Sequence, residues 1–298
     1  MSRLIESILI PTDGSEGALT GASHGIALAS RTDADVHVLS VVESPAGADD
    51  TEIDLPLSSL EERAEEAVEA VATMVRDHDP ALDVERAVTR GTPFQTIREY
   101  ASRREIDVVA MGTKGRSGLE GFLLGSVTEN VIRTARTPVL AVPPDAGDPA
   151  IAEVAFDDLL LPTDGSEGAV IATEWGIALA TEFESMVHTL NAVETSPFSG
   201  ITDPGEIVGA LEREGETAIE TVRERARDAG VSVSGSVATG SPAKAILAYA
   251  TEHDVNLIVM GTHGQTGIGQ WFLGSVTENV VRQATVPVFC VPVSADAP

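Results

Sequence analysis

Gly112-Thr-Lys114-Gly115 is followed nine residues on by Gly125-Ser126-Val127-Thr128-Glu129, and the G-x2-G-x9-G-S spacing returns as Gly261-Thr-His263-Gly264 and Gly274-Ser275-Val276-Thr277-Glu278. Glycine lets backbone N–H groups approach an anion closely, and a helix that starts just beyond supplies unpaired donors and partial positive charge. Each loop leaves an apolar strand pattern and enters a helical one, so each is built to wrap a phosphate chain, and the chain reads as a two-site nucleotide binder. Ser126 with Glu129, and Ser275 with Glu278, have the spacing of a capping box, which predicts serine as the helix cap. The two loops differ in charge: Lys114 and Arg116 give way to His263 and Gln265. The first therefore offers cations to a triphosphate, and the second offers at most an imidazole. Trp271 lies inside the second loop.

The elements that position these loops form a repeat. The first half reads as strand 8–10, a Pro-Thr-Asp-Gly-Ser-Glu turn, helix 18–30, strand 36–42, helix 58–75, strand 84–88, helix 93–103, strand 108–111, the glycine loop, a helix from 126 and strand 139–142. Apolar positions 60, 64, 67, 68, 71, 74 and 75 follow the helical period, with the acids on the other face. The second half repeats this as strand 159–161, strand 187–193, helix 206–229, strand 231–239, a helix from 242, strand 257–260 and strand 288–291. Alternating short apolar strands and helices predict a parallel sheet covered on both faces, with ligands beyond the strand C-termini at a switch point. The repeat sets domains at 1–143 and 156–298, with a linker over 144–155.

Composition narrows the function. Asp plus Glu is 47 against 19 Lys plus Arg, a formal charge of −28. That excludes unaided binding to nucleic acid or an anionic membrane, which needs clustered cations. The lone cysteine, Cys290, sits in an apolar strand and reads as an inert core thiol. His24, His37, His188 and His253 lack cysteines or partners at metal-ligand spacing and read as structural. Trp175 reads as core or lid packing. The start of the chain is too short and charged for a signal h-region, and no apolar run reaches membrane-spanning length, so the expected location is cytoplasmic.

With a first strand ending in Pro-Thr-Asp, the α/β order and the glycine spacing all present twice, the chain resembles the universal stress protein family in its ATP-binding, tandem-domain form. The resemblance implies two doubly wound (Rossmann-like) five-stranded parallel sheets of order 3-2-1-4-5, with ATP between the ends of strands one and four. It also implies pairing of 138–142 with 287–291 as an intramolecular pseudo-dimer, with further homo-oligomers open. Carried over, Thr12, Asp13 and Val41 match base and ribose contacts, completed by backbone near Pro11 and Met111. Gly112, Gly115, Gly125, Ser126, Val127 and Thr128 match the phosphate cradle, with Lys114 beside it. The second copy offers Pro162, Thr163, Asp164, Ala192, Met260, Gly261, Gly264, Gly274, Ser275, Val276 and Thr277, with His263 in place of Lys114. Ala192 for Val41 loosens one wall. Asp13 with Glu16 is equally suited to capping the first helix.

No side-chain cluster of the metal-ligand kind stands out, although Mg2+ or Mn2+ bridging the phosphates would come close to Asp13 and Asp164. The chain has no G-x-x-x-x-G-K-[ST] run and no nucleophile elbow. It also lacks the His-x-Gly-His and Ser-Gly-Gly signatures of related folds that activate carboxylates with ATP. An ATP-dependent regulator or sensor in the stress response is the leading expectation. A slow ATPase or phosphotransferase, and an interaction module without nucleotide, are the alternatives, and no catalytic residue is assigned. The acid-rich surface with only Lys114 and Lys244 as lysines suits a high-salt cytoplasm, where screening relieves self-repulsion. Far-ultraviolet circular dichroism across a salt titration checks this: loss of fold at low salt is expected, and a salt-independent spectrum overturns it.

Overall fold

Four- and five-residue runs of Val, Leu, Ile and Ala without alternation must be buried on both faces, which a sheet between two helix layers provides. The computed structural model describes residues 3–43, 57–115, 124–147, 150–194, 205–264, 273–296 and 298, and the chain divides into two units, Met1–Val154 and Ala155–Pro298. In the first, β1 (Ser7–Pro11), β2 (Asp35–Glu43), β3 (Val84–Gly91), β4 (Val108–Gly112) and β5 (Val139–Val142) form a parallel sheet of order β3-β2-β1-β4-β5. Ile8, Leu9 and Ile10 of β1 are fully buried. On the edge strand β3, buried residues give way to half-exposed and exposed ones.

Helices α1 (Glu16–Thr32) and α2 (Leu57–His78) pack on β1 with β4 and on β2 with β3, while α3 (Pro93–Arg103) packs against α4 (Ser126–Thr134). Right-handed crossovers require this split, because the chain moves outward from β1 to β3 and then returns past β1 to β4. The switch point therefore lies between β1 and β4, where Ile8 pairs with Val108 and Leu9 with Val109.

The second unit has β6 (Asp158–Pro162), α5 (Glu167–Phe183), β7 (Met186–Val193), α6 (Gly205–Asp228), β8 (Val233–Thr239), α7 (Pro242–Glu252), β9 (Leu257–Gly261), α8 (Ser275–Gln283) and β10 (Val288–Val291). Its strands are parallel in the equivalent order, β8-β7-β6-β9-β10. Helix α1 is longer at both ends than its sequence pattern over 18–30, and α5 has the same length of 17 residues. Ser15 and Ser166 accept from Ala18 N and Ala169 N, starting α1 and α5 early. Asp33 and Glu184 adopt left-handed φ of 54° and 58°, closing the last turn late. The acids of α2 do face outward, as its period requires. Glu69 meets Arg76 and Arg86, and Glu61 meets Arg90, all exposed pairs of small energetic weight.

The approach of α1 to β4 is closer than side chains allow. A Cβ on Gly112 would strike the carbonyl of Gly17, and one on Gly21 would strike the backbone of Gly112. In the second unit Gly261 and Gly168 repeat the first contact. Gly112→Ala meets rigid backbone and is expected to destabilise the chain by about 1–3 kcal/mol. Gly209→Ala, within α6 and with only the Arg213 side chain near its Cβ at 3.5 Å, is expected to be neutral or to stabilise by roughly 0.5–1 kcal/mol. Urea unfolding of both variants checks the contrast, and equal midpoints overturn it.

Candidate nucleotide site

The C-terminal ends of β1 and β4 part at the switch point, and the helix starts around them close a cavity of about 720 Å³ in the first unit. That volume is in the range of small-molecule sites. One side is Pro11, Thr12 and Asp13 after β1, with Met111, Gly112, Lys114 and Gly115 after β4. Gly125, Ser126, Val127 and Thr128 enter α4 along another side, and Val41 lies at the end of β2. Every first-copy residue that the resemblance matches to a base, ribose or phosphate contact, with Lys114, thus borders one space.

Local hydrogen bonds explain why these segments sit where they do. Thr12 N–H donates to Leu39 O at 2.8 Å, carrying the β1 to β2 ladder one step past the strand. The Thr12 hydroxyl accepts from Gly14 N at 3.1 Å and fixes the turn. Asp13 Oδ1 accepts from Ser15 N at 3.0 Å and from Ser15 Oγ at 2.5 Å. Asp13 is therefore not the helix cap; it holds the cap, Ser15, in place, and its other oxygen faces Gly115. Residues 116–123 lie outside the described residues, and with them Arg116, but the base of their loop is pinned by Gly125 N–H donating to Thr113 O at 2.7 Å.

Two expectations change here. Ser126 is the first residue of α4, and Gly125, extended at φ −62° and ψ 137°, is its cap without a side-chain bond. The same holds for Gly274 and Ser275 at α8. The predicted capping boxes are displaced by one residue because Gly125 must bond back to Thr113. Among the described residues no cap side chain reaches the first turn of α4, whose N–H groups border the cavity. The glycines also have reasons inside the protein. A Cβ on Gly125 would lie 3.0 Å from Thr113 O, and one on Gly115 would lie 3.1 Å from Asp13 Oδ2. Both positions are therefore crowded by the protein itself. Thr128 has a structural bond as well, its hydroxyl donating to Gly112 O at 2.8 Å.

The second unit reproduces this frame. Thr163 N–H donates to Leu190 O at 2.9 Å, Gly274 N–H to Thr262 O at 2.8 Å, and the Thr277 hydroxyl to Gly261 O at 2.7 Å. Asp164 accepts from Ser166 N at 3.0 Å, and a Cβ on Gly264 would crowd Asp164 Oδ2 at 2.7 Å. Pro162 and Met260 end β6 and the apolar run of β9, Ala192 lies late in β7, and Val276 is in the first turn of α8. His263 turns its Nδ1 to the Thr262 hydroxyl at 2.9 Å, and its Nε2 is buried without a partner among the described residues. Gln265 and Trp271 lie outside the described residues.

Sequence reasoning missed the outer walls of the first cavity. Leu60, Arg63 and Ala64 come from α2, and Thr92, Pro93, Phe94 and Ile97 from the start of α3. Arg63 and Lys114 have no carboxylate partner among the described residues, whereas Arg76, Arg86, Arg90 and Arg104 are all paired with glutamates. In a chain of charge −28, these two cations offset the two acids that also line the cavity, Asp13 and Glu43, and give a bound anion two partners of opposite charge. A comparison of the repeats offered a signal for this wall, because Arg63 and Phe94 correspond to Glu214 and Ala243.

His37, His188 and the cysteine pack within the units. His37 Nδ1 meets the Tyr100 hydroxyl at 3.1 Å, and burial holds its pKa below the usual value despite nearby Glu85. His188 repeats the pairing with Tyr249 at 3.1 Å, and adds Ser234 Oγ at 3.2 Å and Asp158 Oδ1 at 3.3 Å. These are the residue types of a hydrolytic triad. The Tyr249 and Ser234 hydroxyls share one ring nitrogen, Nδ1, while Nε2 faces Asp158, so the imidazole ties β7 to α7, β8 and β6. Among the described residues no group of three His, Cys, Asp or Glu is placed to hold a metal, and no helix is long and apolar enough to cross a membrane. Trp175 is buried against Phe289, its Nε1 donating to Asp296 O at 3.0 Å.

Two repeated parallel α/β units, each with a helix that starts beside its switch point and has no side-chain cap among the described residues, have the architecture of the doubly wound class, in which ligands sit beyond the strand C-termini. The model of the universal stress protein family matches residues 5–143 and 155–292, and the chain belongs to that family as two tandem domains. A universal stress protein of Methanocaldococcus jannaschii is 36% identical over 142 residues, covering 47% of this chain and 84% of that protein. One from Mycobacterium bovis is 29% identical over 214 residues, covering 70% of this chain and 69% of the other. The crystal structure of a universal stress protein from Archaeoglobus fulgidus superposes with a TM-score of 0.73 at 25% identity, covering 96% of each chain.

Burial pushes the Cys290 thiol up to about 12. Ellman's reagent at pH 8 is expected to leave it unmodified in the folded chain and to find one thiol after denaturation. The thiol takes up protons more readily folded than unfolded, so its contribution to stability is lost as pH rises above the ordinary value of 9.0. Rapid labelling of the folded chain overturns the assignment.

Proposed function

We propose that the first unit binds ATP in this cavity, and that occupancy regulates the chain as a nucleotide-dependent component of a stress response. The observation that carries the reading is the meeting, around one space, of an uncapped helix start, two unpaired cations and a switch-point wall. Pro11, Thr12, Val41 and Met111 would hold the base and ribose. The N–H groups at the start of α4, with Lys114 and Arg63, would hold the phosphates. A divalent ion, Mg2+ or Mn2+, would offset phosphate charge near Asp13. Holding is favoured over hydrolysis because a cradle of donors does not itself activate water.

Denaturing freshly purified protein and chromatographing the supernatant tests this. ATP bound to the chain, and a rise in melting temperature when it is added back, are expected; ATP at a hundredfold excess over Kd contributes about 2.7 kcal/mol. ADP accumulating in proportion to protein would shift the reading to a slow ATPase. Absence of any nucleotide, with no thermal shift, would leave an interaction module and overturn the proposal.

A further inference from the structure

The ends of β2 and β7 differ in a way that changes what each unit can accept. Ser40 and Ala64 border the first cavity from β2 and α2. The buried positions Val68, Val71 and Val75 of α2 correspond to Ile219, Val222 and Ala226 of α6, so Ala64 corresponds to Gly215 and Arg63 to Glu214. Ser40 corresponds to Asn191. The Asn191 side chain is buried, and its Nδ2 donates to the Thr163 carbonyl at 2.8 Å. A Cβ on Gly215 would strike Asn191 Oδ1 and lie 2.8 Å from its Cγ. The larger residue on the strand is therefore matched by loss of a methyl on the facing helix, so the pair fits as one unit.

We infer that Asn191, seated in the room left by Gly215, occupies with its own amide the strand-end carbonyl that is open to a ligand in the first unit, so the chain binds one ATP rather than two. The inference rests on the ATP reading of the first cavity. In the first unit, Thr12 borders the cavity and Ser40 makes no corresponding bond among the described residues. A strand-end carbonyl that a ligand could reach there is closed in the second unit by the protein's own amide. Charge points the same way. Arg63 and Lys114 give way to Glu214 and His263, replacing two cations by an anion and an imidazole, which opposes a polyphosphate. Phe94, a large wall residue, is replaced by Ala243, so the second unit also lacks that apolar face.

Isothermal titration of the full nucleotide-stripped chain with ATP, in the presence of Mg2+, tests the inference. One equivalent is expected for the native chain. The double variant Ser40→Asn with Ala64→Gly, which transplants the second unit's pair, is expected to weaken binding by about tenfold or more, a hydrogen-bonded side chain having taken the ligand's place. Two equivalents in the native chain would overturn the inference and uphold the ATP reading; no binding at all would overturn that reading itself. One equivalent that survives the double variant unchanged would also overturn it. If circular dichroism shows the double variant unfolded, the exposed Arg63→Glu substitution takes its place. A loss of about tenfold is expected there too, and unchanged affinity overturns the assignment to the first unit.

Discussion

The backbone contact between the first turns of α1 and the end of β4 is the constraint on which the rest of each unit depends. Gly17 and Gly112 approach so closely that neither tolerates a side chain, and Gly168 and Gly261 repeat the arrangement. This contact sets the height of α1 above the sheet and places the Pro-Thr-Asp turn beside the glycine loop. Asp13 can then hold Ser15 with one oxygen and face Gly115 with the other. From the same strand end, Thr113 accepts the Gly125 N–H that closes the loop, and Gly125 becomes the start of α4. A cavity at the switch point is the geometric consequence, since β1 and β4 diverge there and the loop cannot collapse into the gap.

Charge follows a complementary logic. Acids dominate the chain, and the arginines on the outer face of α2 and on β3 are largely absorbed by them. Such exposed pairs add little to stability, but they take up positive charge that would otherwise be spread over the surface. Arg63 and Lys114 escape this pairing among the described residues and both border the cavity. Asp13 and Glu43 border the same space, so the two cations balance two acids there, and the cavity wall is spared the net negative charge that the chain carries as a whole.

The two units show how a shared frame can carry unequal sites. Backbone bonds at Thr12 and Thr163, and at Gly125 and Gly274, agree to within about 0.1 Å in length because they belong to the sheet and its crossovers. The walls diverge because side chains there answer only to the space between a strand end and a helix. Asn191 with Gly215 shows the compensation that close packing demands, a gain of volume on one element met by a loss on the other.

Much of the frame was legible in the residues. Apolar runs of strand length, proline at the first turn of α3 and α7, and the repeated Pro-Thr-Asp-Gly-Ser-Glu turn fixed the element order, since local propensity and period depend on neighbours along the chain. The same local signals located the segments on the ligand side of the sheet. What they could not supply was distance. The capping-box spacing pointed to Ser126, yet the long-range bond from Gly125 to Thr113 moves the cap by one residue. The three glycines suggested a ligand, yet a Cβ on Gly112 would strike the backbone of α1, and Cβ atoms on Gly115 and Gly125 would press on Asp13 and Thr113 at 3.1 and 3.0 Å. The α2 wall, with Arg63, became visible only once helices from opposite layers met over the strand ends. Sequence alone therefore determined which segments exist and in what order, because those follow from near-neighbour physics; the tertiary structure decided which side chains share a space, because that depends on packing across the whole unit.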